Sequence, residues 1–158
     1  MAVRKNYVFK TYLGTLLKPC RDKLYSFGSK TGNSYHTQLR VGRSELNGHL
    51  FEIGLAQTPG CLCGHKLESV THFLLDYFLY QDERETLMQN INDLIKSQPS
   101  KTYLCNTMLH GDYSDELQNN SKTNQMIFFH VQQFLCQTNK LCPFSNTRRY
   151  SPLRGLYF

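Results

Sequence analysis

The sequence predicts a mainly α fold: a small single-domain helical bundle with a Cys/His knuckle between helices. Three observations lead there. Apolar residues recur at three- and four-residue spacing in several separate windows, the spacing that lines one face of a helix. Turn-forming Gly, Pro, Asn and Ser fall between those windows. In a chain of 158 residues, 40% hydrophobic with ten Phe and ten Tyr, there is enough apolar side chain for one domain core.

Tyr7 to Leu17 predicts a short helix closed by Pro19. Gly28 to Ser34, rich in turn formers, reads as a loop. His36 to Leu50 forms a helix in this scheme, with Leu39, Leu46 and Leu50 on its apolar face and Gly42 and Gly48 weakening it. Gln57 to His65 contains Pro59, Gly60 and Gly64, which put Cys61 and Cys63 on a tight turn. Val70, Phe73, Leu74, Tyr77 and Phe78 then repeat at helical spacing.

The acidic turn at Asp82, Glu83 and Glu85 suits a helix N-terminus, where the exposed N–H groups favour negative charge. Leu87, Met88, Ile91, Leu94 and Ile95 continue that helix and Gln98-Pro99-Ser100 ends it. Lys101 to Leu109 is short and apolar, and Gly111 to Asn120 is a polar loop. Ser121 to Asn139 carries Ile127, Val131, Phe134 and Leu135 on one face of a final helix. The chain thus divides into a basic segment at 1–34 with a short helix and loop, a helical domain at 35–142 with its knuckle at 57–80, and a basic aromatic tail at 143–158.

Charge is segregated along the chain. Residues 1–43 carry a net +8, residues 44–119 a net −7 and residues 120–158 a net +5, within a total of +6. Two basic ends around an acidic middle point to an anionic partner at the ends, with solvated helix faces as the plainer explanation. No run of about 18 apolar residues occurs, so no membrane span is expected. Lys10 interrupts the apolar start and no small-residue cleavage site follows, so a secretory signal is not expected either. The six cysteines are then free thiols or metal ligands in a reducing compartment, nuclear or cytoplasmic.

Cys61, Cys63 and His72 have the chemistry of a metal knuckle. A glycine-bounded turn presents two thiolates from one side, and an imidazole on the following helix supplies a third ligand. His65, on the same turn, and Cys20 are candidates for the fourth. The competing explanation is that the cysteines are small buried apolar residues and His72 only packs or caps. Catalysis has thin support: His110, Asp112 and Asp115 lie close in sequence near Cys105, without a phosphate loop or nucleophile motif.

Longer blocks of sequence resemble one family. His36-Thr37-Gln38-Leu39-Arg40-Val41-Gly42-Arg43-Ser44, then Leu46-Asn47, His49-Leu50-Phe51 and Ile53-Gly54-Leu55, are similar to the region after the polymerase domain in non-LTR retrotransposon reverse transcriptases. Pro59, Cys61-Leu62-Cys63-Gly64, Glu68-Ser69, His72-Phe73-Leu74-Leu75, Phe78-Leu79-Tyr80, Arg84 and Leu87 resemble the family's zinc-binding segment. Leu109-His110-Gly111-Asp112 and Ile127-Phe128 with Val131-Gln132-Gln133-Phe134 look like its helical end. The resemblance covers roughly residues 25–142.

It implies a Cys-Cys-His-Cys zinc set with Cys61, Cys63 and His72 as three members, and places Tyr77 where the fourth ligand belongs. No Tyr/Phe-x-Asp-Asp sequence is present to hold catalytic metals, and no endonuclease set is visible. The chain therefore resembles a C-terminal fragment lacking the polymerase, not an enzyme in itself, that holds RNA or DNA. Phosphate contacts of the salt-dependent, sequence-independent kind fall to Arg40, Arg43, Lys18, Arg21, Lys23, Lys30, Arg148 and Arg149, with Arg4, Lys5 and Lys10 nearby. Tyr35, Tyr150 and Tyr157 are candidates to stack on unpaired bases. A helical protein-interaction module, and a relic frame without selected function, are the alternatives.

Overall fold

The computed structural model describes residues 25–95, 100–112 and 121–142. The helix expected at Tyr7–Leu17 and the tail at 143–158 lie outside the described residues, as does the loop beyond Asp112.

Among the described residues there are six α-helices and no strand. The first, α1 (Lys30–Arg40), starts inside the stretch expected to be a loop. Ser29 caps it: its Oγ accepts from Gly32 N at 2.9 Å, which satisfies one of the free N–H groups of the first turn. Gly32, Tyr35, His36, Leu39 and Arg40 form its buried face. The helix expected from His36 to Leu50 is two helices. Gly42 adopts φ +68° and turns the chain out of α1, and α2 (Asn47–Glu52) follows.

A long loop leads to α3 (Val70–Leu75), capped by Ser69 Oγ on His72 N at 3.1 Å. A 3-10 turn at Phe78–Tyr80 joins it to α4 (Gln81–Leu94), which carries Asp82 and Glu83 in its first turn. Lys101 to Leu109, expected only as a short apolar stretch, lies in α5 (Lys101–His110). Leu104, Cys105, Thr107, Met108 and Leu109 are all buried, so burial on most sides removes the two-faced pattern by which a helix is recognised. The final helix, α6 (Ser121–Thr138), matches its expected span to within a residue.

α6 is the hub, packing against α1, α4 and α5, while α5 also packs on α3 and α1. Ile127, Phe128, Val131, Phe134 and Leu135 of α6 meet Phe73, Tyr77, Leu87, Ile91 and Met108 in the centre, each 2% exposed or less. Burying one such side chain contributes about 1.5–3 kcal/mol, so this interface dominates stability. It also fixes α3, and with α3 the imidazole of His72.

Candidate metal centre

The turn at 61–64 is a local product of glycine. Gly64 sits at φ +88°, its N–H donates to Cys61 O at 3.1 Å, and Cys61 N donates to His65 O at 3.0 Å. This closes a loop that aims both cysteine side chains the same way. Asn47 Nδ2 of α2 donates to Gly60 O at 2.7 Å, and within the loop Glu68 N donates to Pro59 O at 2.7 Å. Gly48 is required for this approach, because a Cβ there would lie 2.7 Å from Glu68 O.

Three ligand atoms converge. The sulfurs of Cys61 and Cys63 lie 3.2 and 3.1 Å from His72 Nε2, and the three donor atoms all fall within 4.8 Å of one another. These residues are close enough to hold a metal ion. Bond lengths of about 2.3 Å to sulfur and 2.0–2.1 Å to nitrogen put S and N roughly 3.5 Å apart around a tetrahedral ion. The observed separations come within a few tenths of an ångström of that. The two sulfurs are joined here as a disulfide, and would separate to about 3.8 Å to ligate an ion. Burial, and next the charge of neighbouring His65, hold the His72 imidazole below its ordinary pKa, and so in the neutral form that binds metal.

His65 does not join this set. Its Nδ1 bonds to Leu67 O at 2.9 Å, and its ring stacks on His72 with centroids 4.1 Å apart. Tyr77 covers the same imidazole at a centroid distance of 5.5 Å and is fully buried. His72 thus sits between two rings, one exposed and one in the core. Cys105, near Thr71, and Cys136 and Cys142 are not disulfide-bonded and lie outside the cluster.

An ion pair supports the site from below. Glu68 Oε1 meets Lys140 Nζ at 2.6 Å with side chains 0% and 3% exposed, and Glu68 Oε2 accepts from Asn47 N at 2.6 Å. Lys140 Nζ also lies 5.7 Å from the centre of the Tyr77 ring. Arg84 donates through Nε to Leu74 O at 3.1 Å and through Nη2 to Tyr77 O, closing the end of α3. Sequence alone gave no sign that Lys140 would be buried.

The basic residues separate into two groups. Arg40, expected with Arg43 to contact phosphate, is only 2% exposed. Its Nη1 donates to Tyr25 Oη at 2.9 Å, and its guanidinium lies over the rings of Phe128 and Tyr25 at 5.3 and 5.9 Å. It is a core residue and offers no free face to phosphate. The turn at Gly42 rotates Arg43 outward, away from Arg40. Tyr35 is likewise buried, 8% exposed, and not available for stacking on bases. Lys30 and Arg43 are exposed and line one open groove along α1 with Tyr25, Asn33 and Gln38. Lys18, Arg21, Lys23, Arg148, Arg149, Tyr150 and Tyr157 lie outside the described residues.

A 45-residue stretch, 28% of the chain, is 42% identical to the Retrovirus-related Pol polyprotein from type-1 retrotransposable element R1 of Bradysia coprophila. This supports a retrotransposon-related origin. The stretch spans 4% of that polyprotein's length. No protein-family model and no solved structure matches the chain. No helix among the described residues is long and apolar enough to cross a membrane.

Proposed function

We propose that this chain is a non-catalytic, retrotransposon-derived nucleic-acid-binding domain whose knuckle of Cys61, Cys63 and His72 takes zinc. The observation that carries the nucleic-acid part is the groove along α1, open to solvent and bordered by Lys30 and Arg43. It belongs to the part of the sequence with a net +8 over residues 1–43. Cations on an open surface displace counterions from phosphates, which gives affinity without base preference and a steep dependence on salt. When bound, zinc would supply a cross-link between the 61–64 turn and α3, fixing the loop by thiolate and imidazole bonds. The 2-to-1 balance of sulfur over nitrogen donors favours zinc over magnesium or calcium, which take oxygen ligands.

The test is binding of a labelled single-stranded RNA, and of DNA of the same sequence, measured by fluorescence anisotropy over a salt series. Affinity that falls linearly on a log–log plot supports phosphate contact. No binding at low salt overturns the proposal.

A second function is favoured by a different observation. Phe51, Ile53, Leu55 and Leu62, around the knuckle loop, are 47%, 52%, 74% and 65% exposed. Exposed large apolar residues grouped in one segment suit a protein-docking module. Binding of neither RNA nor DNA at low salt would favour that alternative.

A further inference from the structure

The sulfurs that would hold the ion are the same sulfurs that are joined here in a disulfide. The Cα atoms of Cys61 and Cys63 lie 5.3 Å apart, inside the ordinary range for a bridged pair, so the turn accepts the bond without unfolding. The two arrangements exclude each other, since a metal needs two thiolates and a disulfide has none. They also differ in what they hold. A metal ties the turn to α3 through His72, whereas the disulfide ties the turn only to itself and leaves His72 with two contacts of 3.1 and 3.2 Å.

From this we infer that Cys61 and Cys63 form a reversible oxidation site that ejects the metal when it reacts with a peroxide. The inference rests on the metal reading above. Cys63 is half-buried and the intervening Leu62 is 65% exposed, so a small oxidant reaches the pair from solvent. The Cys63 thiolate attacks the peroxide O–O bond, giving a sulfenic acid and hydroxide. The Cys61 thiolate then attacks that sulfur, the S–S bond forms and a second hydroxide leaves. Two protons from the buffer convert both hydroxides to water. The two sulfurs lose two electrons, the peroxide gains two, and the divalent ion is set free. A dithiol reductant reverses the step by exchange, and the thiolates become ligands again. Cys105 is held apart from this chemistry, being buried, with its thiol pushed up by that burial. Among the described residues Cys136 is the exposed competing target.

The full chain is reduced, loaded with zinc, freed of excess metal and treated with hydrogen peroxide beside a chromogenic chelator. Alkylation and mass spectrometry then locate the oxidised sulfurs. Expected are release of about one zinc per peroxide consumed, a bridged Cys61–Cys63 peptide, and full reloading after dithiothreitol. The Cys136→Ser variant should behave identically. If zinc stays bound while peroxide is consumed at Cys136, or if Cys61 and Cys63 are oxidised to separate sulfinic acids, this inference fails and the metal site stands. If the reduced chain takes up no zinc, the metal reading fails and the inference falls with it.

Discussion

Tyr77 stacks on His72 with 5.5 Å between ring centroids and 25° between planes, so a fully buried phenol lines the imidazole that two sulfurs also approach. The Tyr77 ring, where the resemblance would expect a fourth ligand, is itself part of the core, against Phe73 and Tyr80.

Tyr77→Cys therefore carries two opposed effects. Loss of a large buried ring leaves a cavity and lowers metal-free stability by about 3 kcal/mol. A third thiolate should tighten zinc. Thermal unfolding with and without zinc, together with chelator competition, separates the two. Zinc affinity equal to that of the parent would show that another group already completes the site.

The pair of Glu68 and Lys140 is buried on both sides, so removing one partner takes the opposite charge from the other. Lys140→Met or Glu68→Gln alone should lower stability by about 3 kcal/mol. Replacing both together, Glu68→Gln with Lys140→Met, should recover much of that loss. Urea denaturation of the three variants measures it, and additive losses would contradict a coupled pair.

Stability should fall in acid through His36. Burial, and secondarily the charge of Arg40, pushes this imidazole down to about 3, while Nε2 bonds Met108 O at 2.9 Å. The unfolded chain takes a proton near pH 6.5 that the folded chain refuses, so the unfolded state binds more protons between these values. Stability is full above about pH 6.5 and declines as pH falls toward 3, by about 2 kcal/mol at pH 5. His110, pushed by burial to about 4, acts in the same direction. Denaturation midpoints across this range should slope less in His36→Gln.

Lys30→Ala and Arg43→Ala should each reduce the salt slope of single-strand binding by about 0.7, as one phosphate contact is lost. Arg40→Lys should leave the slope unchanged and lower stability by about 2 kcal/mol, because it loses the planar contact with Phe128 and the fork geometry at Tyr25. A reduced slope in Arg40→Lys with parental stability would reverse these assignments.

Where one helix face meets one core, sequence was sufficient. In α6, Ile127, Val131, Phe134 and Leu135 are spaced by three and four and all are buried. The knuckle was legible for a related reason, since Gly64 and the short Cys-x-Cys spacing determine a local turn. What was not legible depends on distant partners. The first turns of α1 contain Gly32-Asn33-Ser34, poor helix formers in isolation. Gly32 is needed because a Cβ there would meet Gln132 Cβ of α6 at 2.9 Å. Arg40 and Arg43 fall within one helix in the sequence reading, and the positive φ of Gly42 parts them. Lys140 is buried by an acid 72 residues earlier, a pairing that local pattern does not encode.

The most direct test of the central claim is elemental analysis of the full chain, purified under reducing conditions without added metal, alongside Cys61→Ser. We expect about one equivalent of zinc in the parent, a loss of thermal stability when a chelator removes it, and little zinc in the variant. Less than about a tenth of an equivalent in the parent, with no change in unfolding on adding chelator or zinc, would contradict it.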